Sequence, residues 1–488
     1  MVVRGRSACA SPGSHSSRVM PSLSGLARTA WRSGAALTLA AGLVLGVTAS
    51  GRAEEERKPL RFDGGTLVAR PDPLIVGAGV HFGIGGNYNY DPEKTARLIR
   101  EMGFSSVRDD LVWSLFDRPG VHENTSPPPQ AWRLHRFLSM VELPPLLIFG
   151  HAHPNVPGGA PPLTEEGRAA FARFVVKAGN FVSRFKPMFE IWNEWNIDPT
   201  FSPPWIIGPA KPGDPRAAAD YLKLVEAVRP VLSRTFPNAP VFIGTSGYDP
   251  DWNWTRAVYE GGGMRGSQGM SVHLSNHCDP SIQKRSATEA IDRVSLLQAL
   301  IGKPEAPVPI YVSEVGWPTA SLSPCVISRT QQADYLAQFV LWAAATPWLK
   351  GAWVYEFKDQ GRREEEIEHN FGMFTFDYQP KPSACSMRET IQLLKGATAF
   401  RLERPFQDVF VVQIGGSPQQ GGKIRLVAWT TAERVRARLV PGADVKIEAK
   451  LMCGAPQPEE AGGFSLGPQP LVMDVTSAAA AFDAVLTR

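Results

Sequence analysis

From about residue 75 onward the chain alternates strand-like and helix-like patterns, and nothing else about it limits the fold so strongly. Eight short apolar runs rich in β-branched and aromatic residues read as strands, at 76–82, 105–113, 144–150, 188–194, 240–246, 269–275, 309–316 and 351–357. Helix patterns lie between them. Asp91-Pro92 opens one that Gly103 closes, and Thr164 begins another. Others run over about 215–235, 286–301, 329–345 and 383–394. Strands joined through helices pair in parallel, because each return path must cross a face of the sheet. Eight such units in roughly 320 residues predict a closed (β/α)8 TIM barrel rather than an open doubly wound sheet. No phosphate-cradling GxGxxG follows the first strand, since 83–88 reads GIGGNY and lacks that spacing.

After about Thr398 the texture changes to short strands divided by Gly and Pro turns: DVFVVQIG, GKIRLVAWTT, RARLVPG, DVKIEAKLMCG and QPLVMDV. This predicts a small C-terminal antiparallel β-sandwich, with 60–72 as a source of additional strands. The expected division is an export signal over 1–53, a barrel over 54–397 and the accessory module over 398–488.

The leading segment has its own signature. Arginines at 4, 6, 18, 28 and 32 precede an apolar run from Gly34 to Val47, and small residues then lead to Ala53. That is the layout of a secretory signal, and the run is shorter than the roughly 20 residues that span a bilayer. Export is therefore expected, with no stable membrane span after cleavage; an uncleaved anchor is the alternative. Six of the 51 basic residues and none of the 47 acids lie in 1–53, so the remainder carries 45 against 47, a net charge of −2. The formal excess of +4 belongs to the signal, and no basic surface is left to argue for nucleic acid. Cys278, Cys325, Cys385 and Cys453 remain, an even number that permits two disulfides in an oxidising compartment. Three connectivities are open; Cys278 with Cys325 is expected, because both follow directly on consecutive strands.

Two strand-like runs end in glutamate. MFEIWNE breaks into polar residues at Glu194, and PIYVSEVG carries Glu314, as barrel strands do when they present a reactive group at their C-terminal mouth. Strict alternation would put Glu190, Trp192 and Glu194 on one face of the fourth strand. Glu190 lies deeper, where an acid survives only when paired, and Arg108 on the second strand is the candidate partner. Two carboxylates facing across a sugar are the minimum equipment for cutting a glycosidic bond. Trp317 and the loop tryptophans would offer flat apolar faces to sugar rings.

The WNE of 192–194 and the SEVGW of 313–317 resemble clan A of the retaining glycoside hydrolases, and within it glycoside hydrolase family 39 and its bacterial exopolysaccharide-cleaving relatives. The resemblance spans roughly 75–395 and is strengthened by YEFKDQG at 355–361, EHNFGMF at 368–374 and the KPSA beginning at Lys381. It implies Glu194 as acid/base and Glu314 as nucleophile in a double displacement that needs no metal or cofactor. It further implies Asn193 on the sugar 2-hydroxyl, Arg108 supporting the nucleophile and His273 beside that site. His151, Trp317, Trp353 and Tyr355 complete the expected substrate contacts. The implied partner is a polysaccharide or oligosaccharide, with endo cleavage of an exported polysaccharide favoured over β-xylosidase-like exo action. Where many relatives read Asn-Glu-Pro this chain reads Asn193-Glu194-Trp195, so the loop on the leaving-group side is shaped differently.

Other readings are weaker. His151-x-His153, with His81, His273 and His277, could suggest a metal, but the pair sits on the third strand and the fourth and fifth lack histidine. Structural or ligand-contacting histidines are expected instead. A carbohydrate-binding barrel without turnover would have lost one of the two acids, and both are present. Asp359 is expected to order its loop, Glu356 to point away from the lumen, and Trp429 to belong to a structural buttress. The loops at 114–132, 151–163, 197–214 and 247–265 could build either a groove or a closed pocket.

Overall fold

The computed structural model describes residues 56–487 apart from 64–65, 85–88, 118–128, 152, 154, 156, 158–160, 197–215, 417–423, 432–437, 442–444, 461 and 478–480. The expected export signal thus lies outside the described residues, as do the whole of the 197–214 loop and parts of 114–132 and 151–163. Among the described residues no helix is long and apolar enough to cross a membrane.

Two short strands come first, β1 (Arg57–Asp63) and β2 (Val68–Ala69). Eight parallel strands then close on themselves: β3 (Ile75–Gly79), β4 (Ser106–Val112), β5 (Pro145–Gly150), β6 (Met188–Ile191), β7 (Val241–Ser246), β8 (Gly269–Leu274), β9 (Ile310–Val315) and β10 (Leu349–Val354), with β10 pairing back onto β3. The helices are α1 (Pro92–Met102), α2 (Trp113–Phe116), α3 (Pro129–Val141), α4 (Glu165–Val182), α5 (Arg216–Thr235), α6 (Asn253–Glu260), α7 (Ala287–Ile301), α8 (Arg329–Ala344) and α9 (Pro382–Leu394). The TIM barrel expected from the sequence is therefore present. Start signals act as read: Asp91 accepts from the Lys94 amide at 2.9 Å, and Gly103 closes α1 at φ 85°. Three helices fall wholly or partly where loops were expected: α2 is a single turn. α3 buries Ala131, Leu134, Phe137, Leu138 and Val141 on one face, and α6 is only eight residues long.

The barrel lumen is built in layers. Leu146, Met188, Phe242 and Trp353 form an apolar floor with Ile75 and Tyr311. Trp353 fills that floor so closely that a Cβ at Gly77 would lie 2.0 Å from its ring, which is why that position carries none. Above the floor comes a polar layer of Arg108, Glu190, Ser271 and Ser313, and the acids of the mouth sit above that.

The module comprises β11 (Ala399–Phe406), β12 (Val409–Gly415), β13 (Ile424–Thr430), β14 (Arg438–Pro441), β15 (Val445–Leu451), β16 (Phe464–Ser465), β17 (Leu471–Ser477) and β18 (Ala481–Thr487). They form antiparallel sheets in the orders β1-β18-β14-β16 and β15-β17-β13-β12-β11-β2. β1 and β2 thus belong to this sandwich, as the expected contribution from 60–72 suggested, and not to the barrel range in which the expected boundaries put them. The reason is that β1 covers the otherwise open edge of β18 over seven paired residues. Alternation along β12 explains how the module is held. Val409 and Val411 face the sandwich core, while Phe410, Val412 and Ile414 join the cluster that runs through the barrel helices. Trp429 is fully buried and stacked 5.2 Å from Phe410, so it braces the module as expected. Arg70, beyond β2, donates to the carbonyls of Ala343, Ala344 and Thr346 at 2.9 Å, satisfying the C-terminal end of α8.

Disulfides join Cys278 to Cys325 and Cys385 to Cys453. The first is the pairing expected from the strand positions. It ties the loop after β8 to the loop after β9; the second ties α9 to the module.

One buried acid carries a stability prediction. Asp334 on α8 is 6% exposed, with no hydrogen bond or ion pair to its carboxylate among the described residues, and burial pushes it up to about 7 from 3.8. The folded state prefers its protonated form, so its contribution weakens as pH rises from about 4 to about 7. Asp334→Asn is expected to stabilise the protein by about 1–3 kcal/mol above neutral pH and hardly at all near pH 4. Denaturant unfolding at both pH values checks this; an equal shift at the two would contradict it.

Candidate active site

Arg108 stands at the centre of the lumen, 4% exposed, and gathers groups from three other strands. Its Nε donates to Glu190 Oε2 at 2.8 Å, and its Nη1 donates to Glu314 Oε1. Nη2 donates to Asn193 Oδ1 at 2.9 Å and lies 3.1 Å from His273 Nε2. Burial works against the guanidinium charge, but Glu190 and then Glu314 more than offset it and hold the group above its ordinary value. The fully buried Glu190 also accepts from Ser271, which in turn lies 2.7 Å from Ser313 Oγ. This is the Arg108 pairing that the sequence suggested for Glu190. It is a positioning layer, in which the buried Glu190 is held between a cation and a hydroxyl.

The two mouth acids converge above it. His273 Nδ1 lies 2.8 Å from Glu194 Oε1 and 3.4 Å from Glu314 Oε2. One atom each from Glu194, His273 and Glu314 all fall within 4.8 Å of one another. Burial pulls His273 down, but Glu314 and the bond to Glu194 leave it raised overall. The Arg108 nitrogen beside Nε2 still demands a lone pair there. The contacts therefore fit the neutral ring with its proton on Nδ1, donated to Glu194. Burial alone would raise Glu194; the His273 bond, with Arg108 and His277 beyond it, instead holds Glu194 below the ordinary carboxylate range. Asn193 spends its carbonyl oxygen on Arg108, so its amide nitrogen is the end left to meet a ligand.

Local backbone geometry brings these side chains together. β6 ends at Ile191, and Trp192 and Glu194 then take φ values of 67° and 46° in the left-handed region. Non-glycine residues there cost roughly 1 kcal/mol each and are concentrated at functional sites. The turn sends Trp192 outward into the core against Phe171 and Trp195, contrary to strict alternation, and leaves Asn193 and Glu194 at the mouth. On β9 a register shift pairs Val312 with Val272 but Glu314 with His273. Regular alternation would send Glu314 away from Ser313; the irregularity turns both inward.

A cavity of about 730 Å³ opens over the acids, lined by His81, Arg108, Asp109, Asp110, His151, Asn193, Glu194, His277, Glu314, Tyr355 and Glu368 among others. Asp109 accepts from the amides of Phe82 and Gly83 at 2.8 and 3.0 Å, and burial with Asp110 beside it pushes its carboxyl up to about 7. His151 Nε2 lies 3.0 Å from Asp110 Oδ1. Tyr355 donates to Glu368 at 2.9 Å. Burial of the carboxyl, and after it the charges of Glu356, Glu314 and Glu194 nearby, pushes Glu368 up to about 7 against the pull of the Tyr355 bond.

Asn193, Arg108, His151 and Tyr355 therefore reach the cavity, and His273 lies buried between the acids. Trp317 and Trp353 do not. Trp317 is fully buried 5.4 Å from Tyr335, and Trp353 belongs to the barrel floor with Nε1 on Ser106 Oγ at 3.1 Å, so neither offers a face to a sugar. A tryptophan beside a motif carries no mark of its depth, and here the barrel layers claimed both. Glu356 turns to His81 at 3.0 Å and lines no part of the cavity, while Asp359 orders its loop through the Gly372 amide and Lys381. Asp109 and Asp110 were missed because the second strand reads simply as an apolar run broken by charge.

His151 and His153 diverge, the second turning to the Asp117 carbonyl. Glu194, His273 and Glu314 could in principle hold an ion, but Arg108 already contacts two of the three, and a fixed guanidinium repels a second cation. The other acid–thiol cluster among the described residues uses Cys385 and Cys453, which are joined to each other.

No protein-family model matches the chain, and no curated protein matches its sequence. Solved structures match its fold. A family 39 glycoside hydrolase from the gut symbiont Bacteroides cellulosilyticus WH2 aligns at 23% identity and TM-score 0.62 over 84% of this chain and 82% of that one. The family 39 enzyme from Xanthomonas axonopodis pv. citri aligns at 11% identity and TM-score 0.56 over 85% and 96%. A monomeric β-xylosidase from Caulobacter crescentus CB15 aligns at 12% identity and TM-score 0.55 over 85% and 98%. At these identities the likeness is one of architecture: the chain has the fold of the family 39 glycoside hydrolases.

Proposed function

We propose that this protein is a retaining glycoside hydrolase that cleaves β-glycosidic bonds within an exported polysaccharide, itself exported by residues 1–53. The observation that carries this reading is the convergence of Glu194 and Glu314, with atoms no more than 4.8 Å apart, on one buried arginine and one histidine. Retaining enzymes hold their carboxyls about 5–5.5 Å apart, whereas inverting ones leave room for a water at about 6.5–9.5 Å. The separation supports retention.

In the first half-reaction Glu314 attacks the anomeric carbon, the bond to the leaving oxygen breaks with its electron pair, and that oxygen takes the Glu194 proton. In the second, Glu194 removes a proton from water, the water oxygen attacks the same carbon, and Glu314 departs as carboxylate. Arg108 stays compensated when Glu314 becomes an ester, because Glu190 keeps its own bond to the guanidinium. Asn193 is the donor suited to the 2-hydroxyl.

The pull on Glu194 has a consequence for pH. Glu194 must be protonated to act as acid, yet in the free protein His273 and Arg108 hold it below its ordinary value. The kcat/KM profile, which reports the free enzyme, is therefore expected to peak on the acid side of neutral and fall as pH rises. Glu194→Gln should abolish that basic limb. A wild-type optimum above pH 8 would contradict the role given to Glu194.

The reading is tested by incubating the protein with mannan, xylan, β-glucan and native exopolysaccharide, with Glu194→Gln and Glu314→Gln in parallel. Internal cleavage giving a ladder of sizes is expected. Release of single sugars from chain ends would favour the β-xylosidase-like exo alternative. Activity of either variant equal to wild type would remove the proposal.

A further inference from the structure

Outside the catalytic mouth the barrel carries a second hollow of similar size. A groove of about 610 Å³ is lined by α1, by α9 and by the end of the loop that joins β10 to α9. That volume lies within the roughly 300–1,000 Å³ typical of small-molecule sites. Met102, Phe374 and Tyr378 are its buried members, while Pro380 and Pro382 are exposed. Its charge is one-sided: Lys94, Arg97, Lys381 and Arg388 line it against Glu101 alone. Two of these cations are spent. Arg97 pairs with Glu101 at 2.9 Å, and the buried Lys381 pairs with Asp359 at 2.7 Å. Lys94 and Arg388 are not: among the described residues neither side chain has a hydrogen bond or an ion pair, and the Lys94 ammonium lies only over the Tyr378 ring, 4.7 Å from its centre. The two stand on different walls, α1 and α9, and both are exposed. An anion lying between them would be attracted by both.

The catalytic cavity has the opposite character. Asp109, Asp110, Glu194, Glu314 and Glu368 line it, and its guanidinium, Arg108, is already matched by Glu190 beneath. A sugar bearing a carboxylate is repelled there and attracted at the groove. One loop serves both places. Tyr355, Glu368 and Phe371 line the catalytic cavity, and Phe374, Tyr378 and Pro380 line the groove. Asp359 ties the two parts of that loop together, accepting from the Gly372 amide at 2.8 Å and from Lys381 Nζ at 2.7 Å.

We propose that the groove between α1 and α9 binds acidic sugar units of a polysaccharide, with Lys94 and Arg388 taking their carboxylates, while the catalytic cavity takes its neutral units. The planar fork of Arg388 suits a carboxylate, and Lys94 adds a point charge from the other wall. The exposed prolines offer apolar surface to the C–H faces of the rings. This rests on the hydrolase reading and deepens it, because it makes the substrate a heteropolymer that is held by one kind of sugar and cut at another.

The test measures binding by calorimetry on the Glu314→Gln protein at low salt, with tetragalacturonate, xylotetraose and inorganic phosphate as probes. Tetragalacturonate is expected to bind about tenfold or more tighter than either of the others, and Lys94→Gln with Arg388→Gln to remove about tenfold of that affinity. Added salt should weaken tetragalacturonate binding strongly when both cations are present and little when both are gone. With Glu314 restored, the Lys94→Gln, Arg388→Gln protein should keep kcat/KM within twofold on the neutral glycan that wild type accepts. Tetragalacturonate binding that survives loss of both cations, or that is no tighter than xylotetraose, would overturn the proposal. Phosphate binding as tight as tetragalacturonate would make the groove a site for any anion and overturn the sugar assignment. A wild-type protein that cuts no glycan while its groove still binds tetragalacturonate would bring down the hydrolase reading alone.

Discussion

Glu314→Gln is expected to lower kcat on any accepted glycan by about 10⁴-fold or more, because removing a nucleophile ends the covalent route and does not merely slow it. Glutamine keeps the shape and the bond from Arg108 Nη1, so the fold should hold while turnover goes. Glu194→Gln acts on a different step. On a natural glycan it should cost about 10²–10⁴-fold, the usual worth of a positioned proton donor. On a glycosyl fluoride, whose leaving group needs no proton, the first step should survive and the second should stall. A covalent adduct on Glu314 is then expected by intact-mass measurement. Should Glu314→Gln retain a tenth of wild-type turnover, the double displacement is wrong. Should the adduct appear on another residue, the assignment of Glu314 is wrong even though the chemistry class survives.

Arg108→Met should produce the largest loss of stability. It leaves Glu190 fully buried without a cation, and breaking a buried pair by removing one partner costs about 3–5 kcal/mol. It also frees Glu314, Asn193 and His273 from their common anchor, so turnover should fall with it. The double variant Arg108→Met, Glu190→Met separates these effects. Replacing both members of a buried pair by apolar groups is often neutral or better, so denaturant unfolding should return close to wild type while activity stays lost. If the double variant is as unstable as the single, the cost lies in packing and not in an unpaired charge.

The barrel was readable because parallel strands buried on both faces must be near-continuous apolar runs, and β5, β7 and β8 are of that kind. Helix starts were readable where a capping side chain marks them, as at Asp91, Thr164 and Ser286. α6 has no such mark: it begins after Trp252 in the left-handed region with no side-chain cap, and was expected to be loop. α3 does carry an amphipathic pattern, but its first turn lies inside 114–132, which was expected to be loop. The fourth strand ended three residues earlier than expected because Trp192 leaves the lumen for the outer core.

The acids of the site were legible for a related reason. A strand buried on both faces tolerates charge only at its mouth or in a matched pair, which marks Glu194 and Glu314 as one case and Glu190 with Arg108 as the other. What local pattern could not hold is depth and direction. Trp317 and Trp353 looked like sugar faces and are core, because tryptophan suits both and only the filled layers decide. Glu314 faces inward through an irregularity that period-two reasoning would have reversed.

Sequence alone thus determined that the chain alternates strand and helix, that its acids stand at strand ends, and which cysteines could meet after β8 and β9. Only the closed barrel decided that Arg108 should touch Glu190, Asn193, His273 and Glu314, which lie 82, 85, 165 and 206 positions away. Periodicity is a property of neighbours along the chain. The meeting of five side chains in one lumen depends on closure and on the stagger between strands, and those exist only once every strand has found its place.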